Sequence, residues 1–495
     1  MFYQSTRDSS VKFTSAQAIM QGISEDGGLF VPSEIPGLTK SEFESLVKMS
    51  YNDRAKLIFG KFLTDFTDDE IAFCVDSAYN TKNFGKASIT EFAEADGMSI
   101  LELWHGPTHA FKDMALQILP YLLKKSVEKN NCEKEIVILV ATSGDTGKAA
   151  LEGFADVAGT RIIVFYPETG VSEMQKRQMA TQTGANVNIC AVRGNFDDCQ
   201  NGVKKIFTDN SVKDVLEKAG MTFSSANSIN WGRLAPQIVY YISAYADLVA
   251  SGKIAQGDPV NICVPTGNFG NILAAYYALC MGLPVNKLIC ASNSNNVLTD
   301  FLKTGIYDRN REFFTTLSPS MDILISSNLE RLLFHLSGQN DRLVSKWMNS
   351  LKTTGKYEVS SEVRGKITSL FEAGFCDDKE TQKQIKATFN SCGYTLDTHT
   401  AVAVKVYGDY KAASGDETPV IIASTASPFK FSRAVLSAID GNAPDDEFAA
   451  AEKLAAISGL KLPESLAKLR ETPVRFKDTE DSDALSAYVK KLLGV

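Results

Sequence analysis

The sequence predicts an α/β protein with two doubly wound domains of mostly parallel sheet, preceded by an N-terminal helical region. The main observation is a repeated unit in which an apolar run leads into a polar loop and then into a helical pattern. The apolar runs are continuous rather than alternating, and such strands are buried on both faces, as in parallel sheets covered by helices. Ligands of such sheets bind where the polar loops meet, at the carboxyl ends of the strands.

Seven apolar runs are the predicted strands of the two sheets. They lie at 98–104, 136–141, 161–166, 187–192, 260–264, 287–291 and 420–423. Polar loops follow four of these runs, at 142–147, 265–271, 292–296 and 424–428, and each loop precedes a helical pattern. The loops are therefore predicted to meet at the ligand-binding edges of the sheets.

Changes in hydrophobic patterning and charge along the chain predict the domain boundaries. Residues 1–95 carry mostly helical patterning and form the predicted N-terminal domain. Residues 96–130 and 245–495 are predicted to form a large α/β domain, with a charged, helix-rich insertion at about 300–390. Residues 131–244 are predicted to form a smaller α/β domain, a size within the usual range for one folding unit.

Composition and charge exclude several classes of protein. Hydrophobic residues make up 44% and charged residues 22% of the 495 residues, as in ordinary globular enzymes. The formal charge of −8 argues against nucleic acid or an acidic membrane as the main partner. No apolar run would span a bilayer and no signal-peptide pattern is present, so a cytoplasmic location is expected. The scattered cysteines and the 4 histidines predict no metal site.

Lys112 is the candidate catalytic residue. It follows the predicted strand at 98–104 and stands at the start of a helix predicted over 111–125. The N-terminus of a helix is electropositive, so a lysine there loses its proton more easily. A neutral amine is the form that bonds to an aldehyde cofactor. Most lysines are nevertheless solvated surface charges, so position alone does not decide the role of Lys112.

Two loops have the composition of anion-binding sites. The loops at 142–147 and 265–271 each open a helix, where main-chain N–H groups bind phosphate or carboxylate. Gly267 and Gly270 would allow the second loop to wrap around a phosphate. Neither loop matches the P-loop or the dinucleotide fingerprint. Helix N-caps favour the same residue types, so each loop by itself could be only a cap.

Four motifs taken together resemble the threonine synthase family, in the longer form found in fungi and many bacteria. The motifs are His-Gly-Pro-Thr-His-Ala-Phe-Lys-Asp at 105–113, Thr-Ser-Gly-Asp-Thr-Gly at 142–147, Pro-Thr-Gly-Asn-Phe-Gly-Asn at 265–271 and Ser-Thr-Ala-Ser-Pro at 424–428. The segments at 3–7, 26–32 and 227–233 are also similar, so the resemblance extends to about residue 440. Asp8 is a departure, since the family more often has glycine there.

The resemblance implies a fold-type II enzyme that uses pyridoxal 5′-phosphate to convert O-phospho-L-homoserine and water to L-threonine and phosphate. The residues that it assigns to the cofactor are Lys112, Gly267, Asn268, Phe269, Asn271 and Thr425. In this pattern Lys112 would be bonded to the cofactor, and Thr425 would face the pyridine nitrogen. The residues that it assigns to the amino-acid end of the substrate are Ser143, Asp145 and Thr146.

A charge argument adds Arg233, with Lys148 second, as the predicted binder of the substrate phosphate. An acidic chain must neutralise that phosphate locally, and the planar fork of arginine suits phosphate oxygens. The alternative is that Arg233 forms a structural ion pair.

Two other classes of protein stay open at this stage. One is a related fold-type II lyase, either a threonine or serine dehydratase or a cysteine-synthase-like β-replacement enzyme. The other is a non-catalytic homologue. The segment at 230–233 and the long insertion argue against the first class, and the intact lysine and phosphate loop argue against the second. A monomer or a homodimer is expected.

Overall fold

The chain has the predicted α/β architecture, with two mostly parallel sheets covered by helices. The computed structural model describes residues 1–142, 144–169 and 171–495. Its strands are β1 Tyr3–Ser5, β2 Phe30–Pro32, β3 Glu91–Ala95, β4 Met98–Glu102, β5 Glu135–Ala141, β6 Thr160–Pro167, β7 Val187–Arg193, β8 Met221–Ser224, β9 Val260–Pro265, β10 Val285–Ser292, β11 Ile306–Asp308, β12 Lys356–Glu358, β13 Phe371–Phe375, β14 Val420–Ser424 and β15 Thr479–Asp481.

Helices connect these strands and cover both faces of the sheets. They are α1 Ser15–Gln21, α2 Lys40–Ser45, α3 Tyr51–Phe62, α4 Asp68–Ala78, α5 Thr81–Phe84, α6 Asp113–Leu116, α7 Leu119–Lys129, α8 Asp145–Phe154, α9 Glu173–Ala180, α10 Phe196–Thr208, α11 Asn210–Lys218, α12 Trp231–Ala250, α13 Gly270–Cys280, α14 Val297–Thr304, α15 Leu329–Leu336, α16 Asp341–Thr354, α17 Ser361–Leu370, α18 Asp378–Cys392, α19 Thr398–Ser414, α20 Ser432–Asp440, α21 Glu447–Ser458, α22 Glu464–Ala467 and α23 Leu485–Leu493. Within the described ranges, no helix combines the length and the apolarity that crossing a membrane requires.

The large sheet has six strands in the order β13-β10-β9-β14-β4-β3. Its neighbouring strands are parallel except for β3 and β4, which form an antiparallel pair. β3 belongs to this sheet although the sequence pattern places it in the N-terminal domain, and β13 comes from the predicted helical insertion. Both are edge strands that carry glutamate, and edge strands lack the continuous apolar signal of central ones.

The small sheet has five parallel strands in the order β15-β7-β6-β5-β8. β15 and α23 come from the C-terminal segment, which the sequence pattern places in the large domain. The structure corrects that boundary: Leu485, Val489 and Leu493 on one face of α23 are buried in the same cluster as Val137 and Leu139 of β5. The polar, partly exposed β15 gives no strand signal of its own.

Helix α12 lies at the centre of the molecule. It is buried along nearly its whole length and contacts α3, α6 and α13. Trp231, at its start, packs against the rings of Tyr3, Phe62 and Tyr277, with ring centroids 5.3, 5.5 and 5.4 Å away. A helix that is apolar all round is stable only when it is buried in this way. As a result Arg233, on the first turn of α12, is held in the interior.

The helix predicted over 111–125 is divided into α6 and α7. Pro120 stands in the first turn of α7, where a residue without an N–H group is tolerated, whereas inside a continuous helix it would remove a hydrogen bond. The proline therefore starts a second helix instead of bending one. This leaves Lys112 at the head of a helix of only 4 residues.

Candidate active site

A pocket lies where the loops that follow β5, β9 and β14 converge. Its lining includes residues from both sheets, from α12 and from the insertion segment at 319–323. The predicted site residues that line it are Lys112, Asp145, Thr146, Arg233, Gly267, Asn268, Phe269, Asn271 and Thr425. Ser143 lies outside the described residues. Lys148 does not line the pocket, because its ammonium pairs with Glu152 at 2.8 Å and also donates to Gln182.

Lys112 lies on the pocket wall beside the ring of Phe111, whose centroid is 3.8 Å from the lysine Nζ. Burial lowers the pKa of Lys112 to about 7, the nearby carboxylate of Asp145 acts in the opposite direction, and the positive charges of Arg233 and Lys430 lower it further. Burial is thus the main cause of the low pKa, rather than the helix dipole that the sequence suggests. Near neutral pH the amine can be either protonated or neutral.

The segment before Lys112 is fixed to the loop that contains Thr425. Phe111 donates its main-chain N–H to the carbonyl of Thr425 at 2.8 Å, and Ser427 donates to the carbonyl of His109 at 3.0 Å. Ser427 is also the residue whose side chain caps the following 3-10 helix at Pro428–Phe431. The Thr425 hydroxyl is therefore not needed as a helix cap, and Thr425 lines the pocket instead.

The loop at 266–269 presents main-chain N–H groups that have no partner among the described residues. The hydrogen bonds of the described main chain include none donated by Gly267, Asn268 or Phe269. The carbonyls of this loop are bound from the other side, since Gly267 accepts from Ser326 Oγ at 2.8 Å and Asn268 accepts from Asn328 N at 3.1 Å. Such a row of free donors at the start of a helix is suited to a phosphate.

Steric contacts explain why this loop has its particular residues. A Cβ added at Gly267 would lie 2.5 Å from the carbonyl oxygen of Ser320, closer than real contacts allow. Phe269 has a φ of +65°, in the left-handed region that most residues avoid. Asn271 then accepts two phenol hydrogen bonds on its Oδ1, from Tyr240 at 2.7 Å and from Tyr241. Its Nδ2 has no partner in the described part of the chain.

Arg233 supplies a buried positive charge to the pocket. Its Nη1 donates to the carbonyl of Ala226 at 2.6 Å, while its Nε has no partner among the described residues. Burial lowers the pKa of Arg233 to about 10, which still leaves it charged at neutral pH. No carboxylate of the described residues forms an ion pair with it, so the alternative of a structural ion pair has no support in the structure.

Comparison with known proteins decides the family. Residues 2–79 match the family model "Threonine synthase N terminus", 93–347 match "Pyridoxal-phosphate dependent enzyme" and 400–489 match "Threonine synthase, C-terminal". A threonine synthase of Pseudomonas aeruginosa is 38% identical over 446 residues, which cover 90% of this chain and 92% of the relative. The chain belongs to the threonine synthase family.

Two further comparisons refine this assignment to the threonine synthase family. A PLP-bound threonine synthase from Brucella melitensis has a crystal structure with a TM-score of 0.86 and 35% identity, covering 99% of both chains. Human "Threonine synthase-like 1" is 43% identical over 441 residues, or 87% of this chain, and the chain spans 58% of the length of that relative. These matches confirm the predicted fold class and the pyridoxal-phosphate-dependent family.

The pocket of this threonine synthase family member fits pyridoxal 5′-phosphate. Three groups line this one pocket. They are the amine of Lys112, whose pKa is lowered, the unpartnered main-chain N–H groups of the 266–269 loop, and the hydroxyl of Thr425, which does not cap a helix. These three features match an aldehyde, a phosphate and a ring nitrogen in chemical type. Arg233 is a further charged hydrogen-bond donor in the pocket, and none of these three cofactor groups requires it.

The structure also adds residues that sequence reasoning missed. The pocket lining includes Asn227, Ser228 and Ser320, and Lys430 lies directly behind Asp145. Asn227 and Ser228 stand in a motif that supports the family resemblance, so they could have been found from it. Ser320 belongs to the predicted insertion at about 300–390, in which no site residue is predicted from the sequence, and residues 319–323 of this insertion line the pocket.

The two histidines of the 105–113 motif are not in the pocket lining. His105 Nε2 lies 2.7 Å from a carboxylate oxygen of Glu102, and His109 Nε2 lies 2.7 Å from Ser465 Oγ. Glu91 joins Glu102 and His105 to form a group whose possible ligand atoms lie within 4.8 Å of one another. Glu91 of this group is paired with Lys86 at 2.6 Å.

Proposed function

We propose that the chain is a threonine synthase, which converts O-phospho-L-homoserine and water to L-threonine and phosphate. The observation that carries the proposal is Arg233, a buried cation without an ion-pair partner among the described residues, in the same pocket as Lys112 and the 266–269 loop. The loop accounts for one phosphate, that of the cofactor. A second anion-binding group suits a substrate that brings a phosphate of its own in addition to its carboxylate.

The cofactor would be pyridoxal 5′-phosphate, held by Lys112, the N–H groups of the 266–269 loop, Asn271 and Thr425. When bound, it supplies an electron sink for the carbon atoms next to the substrate amino group. The chain's contribution is to hold and orient it. The turn before Lys112 is held by Asp113, whose carboxylate accepts from Thr108 N at 2.8 Å and from Thr108 Oγ1 at 2.7 Å.

The substrate would lie between the 142–147 loop and Arg233. Thr142 shapes this loop, because its Oγ1 accepts from Gly144 N at 3.0 Å and from Gly147 N at 2.8 Å. Thr146 at the start of α8 is then available to the amino-acid end of the substrate. The guanidinium of Arg233 would bind the phosphate and stabilise its negative charge as it leaves.

Lys112 would move the protons of the reaction. Its amine would take a proton from Cα of the substrate and return one there at the end. A pKa of about 7 suits both directions, since a general acid and base works best when its pKa is near the operating pH. Lys148 has no place in this scheme, because its charge is already paired with Glu152.

Related lyases are the second candidate. A dehydratase or a β-replacement enzyme with an unphosphorylated substrate would use the same lysine and phosphate loop, and Arg233 would then have only the substrate carboxylate to bind. The test is to measure phosphate and threonine released from O-phospho-L-homoserine, with L-homoserine and L-serine as comparators. We expect threonine from the phosphorylated substrate alone. Faster turnover of L-serine would assign the chain to the dehydratases.

A further inference from the structure

A buried ion pair joins the two domains directly behind the pocket. Lys430 lies in the 3-10 helix at Pro428–Phe431, which follows β14 of the large sheet, and Asp145 is the first residue of α8 in the small domain. Lys430 Nζ is 2.8 Å from Asp145 Oδ1, and the side chains are 0% and 3% exposed. A pair this far from water is stable only if further hydrogen bonds satisfy both groups.

Both partners are fully engaged within the protein. Lys430 Nζ also donates to the carbonyl of Thr108 at 3.0 Å and to Gln178 Oε1 at 3.2 Å. Asp145 accepts from Gln175 Nε2 at 2.9 Å. Lys430 is not among the residues that line the pocket, whereas Asp145 is. Lys430 therefore acts on the pocket indirectly, through Asp145, through the Thr108 turn that precedes Lys112, and through its charge.

The charges that act on Lys112 come from four surrounding elements. Burial has the largest effect and lowers the pKa of Lys112; Asp145 on α8 and Asp397 at the start of α19 raise it, while Arg233 on α12 and Lys430 lower it further. His399 on α19 is a further titratable group beside Asp145. Burial alone raises the pKa of Asp145, but Lys430 and Lys112 outweigh it and keep this carboxyl ionised.

We propose that Lys430 is a positioning residue, which neutralises the Asp145 carboxylate in the pocket that Lys112 also lines and fixes the start of α8 against the large domain. Without Lys430, the Asp145 carboxylate would lose its ion-pair partner at 2.8 Å, and its uncompensated charge would favour the protonated form of Lys112 in the same pocket. The proposal rests on the proposed function only in taking Lys112 as the reacting amine.

The direct test is the titration of Lys112 in the full-length chain, after any bound cofactor has been removed by dialysis against hydroxylamine. Lysine acetylation by a limiting amount of acetic anhydride is measured by mass spectrometry of the Lys112 peptide from pH 5 to 11. We expect Lys430→Met to move the labelling midpoint up by about one pH unit and Asp145→Asn to move it down by about as much. The double variant should return close to the unsubstituted protein.

Opposite shifts separate a charge effect from damage to the fold. A merely structural role would move both single variants in the same direction, towards the midpoint of an exposed lysine, and that result would overturn the proposal. Lys430→Arg keeps the charge and should keep the midpoint, which also covers the case in which Lys430→Met does not fold. Lys129→Met is the matched control, since its ion pair with Glu70 at 2.8 Å lies outside the pocket and should not affect Lys112.

The labelling needs neither cofactor nor substrate. Absence of threonine synthase activity would therefore leave the expected shifts unchanged, and absence of the shifts would leave the proposed reaction unchanged. The two proposals can fail separately.

Discussion

Two strand–loop–helix units of the same topology form opposite kinds of binding site in this pocket. After β9 the loop binds through the main chain: three of its residues have N–H groups without partners in the described chain, and its shape depends on a glycine and a left-handed phenylalanine. After β5 the loop depends on side chains: the Thr142 hydroxyl closes it, and Asp145 ties it to Lys430. The first is suited to the phosphate of the cofactor, and the second to the amino-acid end of the substrate.

The largest loss of activity is expected on substitution of Lys112, which lines the pocket together with both loops. Lys112→Ala removes the only amine of the described pocket lining that can bond to the cofactor, so activity should fall by at least about a thousandfold. Borohydride reduction of the unsubstituted protein followed by peptide mapping should place the pyridoxyl group on Lys112. A label on another lysine, or a fully active variant, would contradict this assignment.

A single added methyl group in the loop after β9 should weaken cofactor binding. Gly267→Ala would place a Cβ 2.5 Å from the Ser320 carbonyl, and overpacking of this kind costs about 1–3 kcal/mol. We expect pyridoxal 5′-phosphate affinity, measured by equilibrium dialysis, to fall about ten- to a hundredfold.

Gly270→Ala is the comparison for this change, because Gly270 is the other glycine expected to let the loop wrap around a phosphate, and in the structure it has room for a methyl group. Its Cβ would meet nothing closer than Asn328 Nδ2 at 3.5 Å, an ordinary contact. Equal losses in the two variants would show that steric fit at Gly267 does not set cofactor affinity.

Arg233 should matter for the substrate and not for the cofactor. Hydrogen bonds to charged groups contribute about 1.5–3 kcal/mol, so Arg233→Gln should lower kcat/KM for O-phospho-L-homoserine about ten- to a hundredfold. Slow side reactions with unphosphorylated amino acids should be unaffected. Equal losses on both kinds of substrate would mean that Arg233 only supports the fold.

The smallest loss of activity is expected from a substitution in the loop after β5. Thr142→Val leaves the N–H groups of Gly144 and Gly147 without their common acceptor, at a cost of about 1–3 kcal/mol. We expect a KM for the substrate about tenfold higher and an unchanged cofactor affinity, which is the reverse of the Gly267→Ala result. If Thr142→Val also releases the cofactor, the two loops are not independent.

Local patterns in the sequence identified the central strands and pointed to Lys112, whereas the resemblance to the threonine synthase family supplied most of the other predicted residues that line the pocket. Continuous apolar runs mark the buried parallel strands, and the glycines of the 265–271 loop mark a close approach of the main chain. The edge strands β13 and β15 were missed because an edge strand need not be apolar on both faces.

Charges brought together by the fold were harder to foresee. Lys430 stands 285 positions beyond Asp145 in the sequence (430 − 145), and only the packing of the two domains makes them a pair. Lys148 has the residue type and sequence position of a phosphate ligand, but its ammonium forms an ion pair with Glu152, one helical turn later. The low pKa of Lys112 likewise comes from burial, which its local sequence does not reveal.

The central claim is that this pocket carries out elimination of phosphate followed by addition of water, and the origin of the new hydroxyl oxygen tests it most directly. The full-length protein with pyridoxal 5′-phosphate is incubated with O-phospho-L-homoserine in water enriched in oxygen-18, and both products are analysed by mass spectrometry. We expect one threonine for each phosphate, with the heavy oxygen in the threonine hydroxyl and none in the phosphate. Heavy oxygen in the phosphate together with unlabelled homoserine would indicate simple ester hydrolysis and contradict the account.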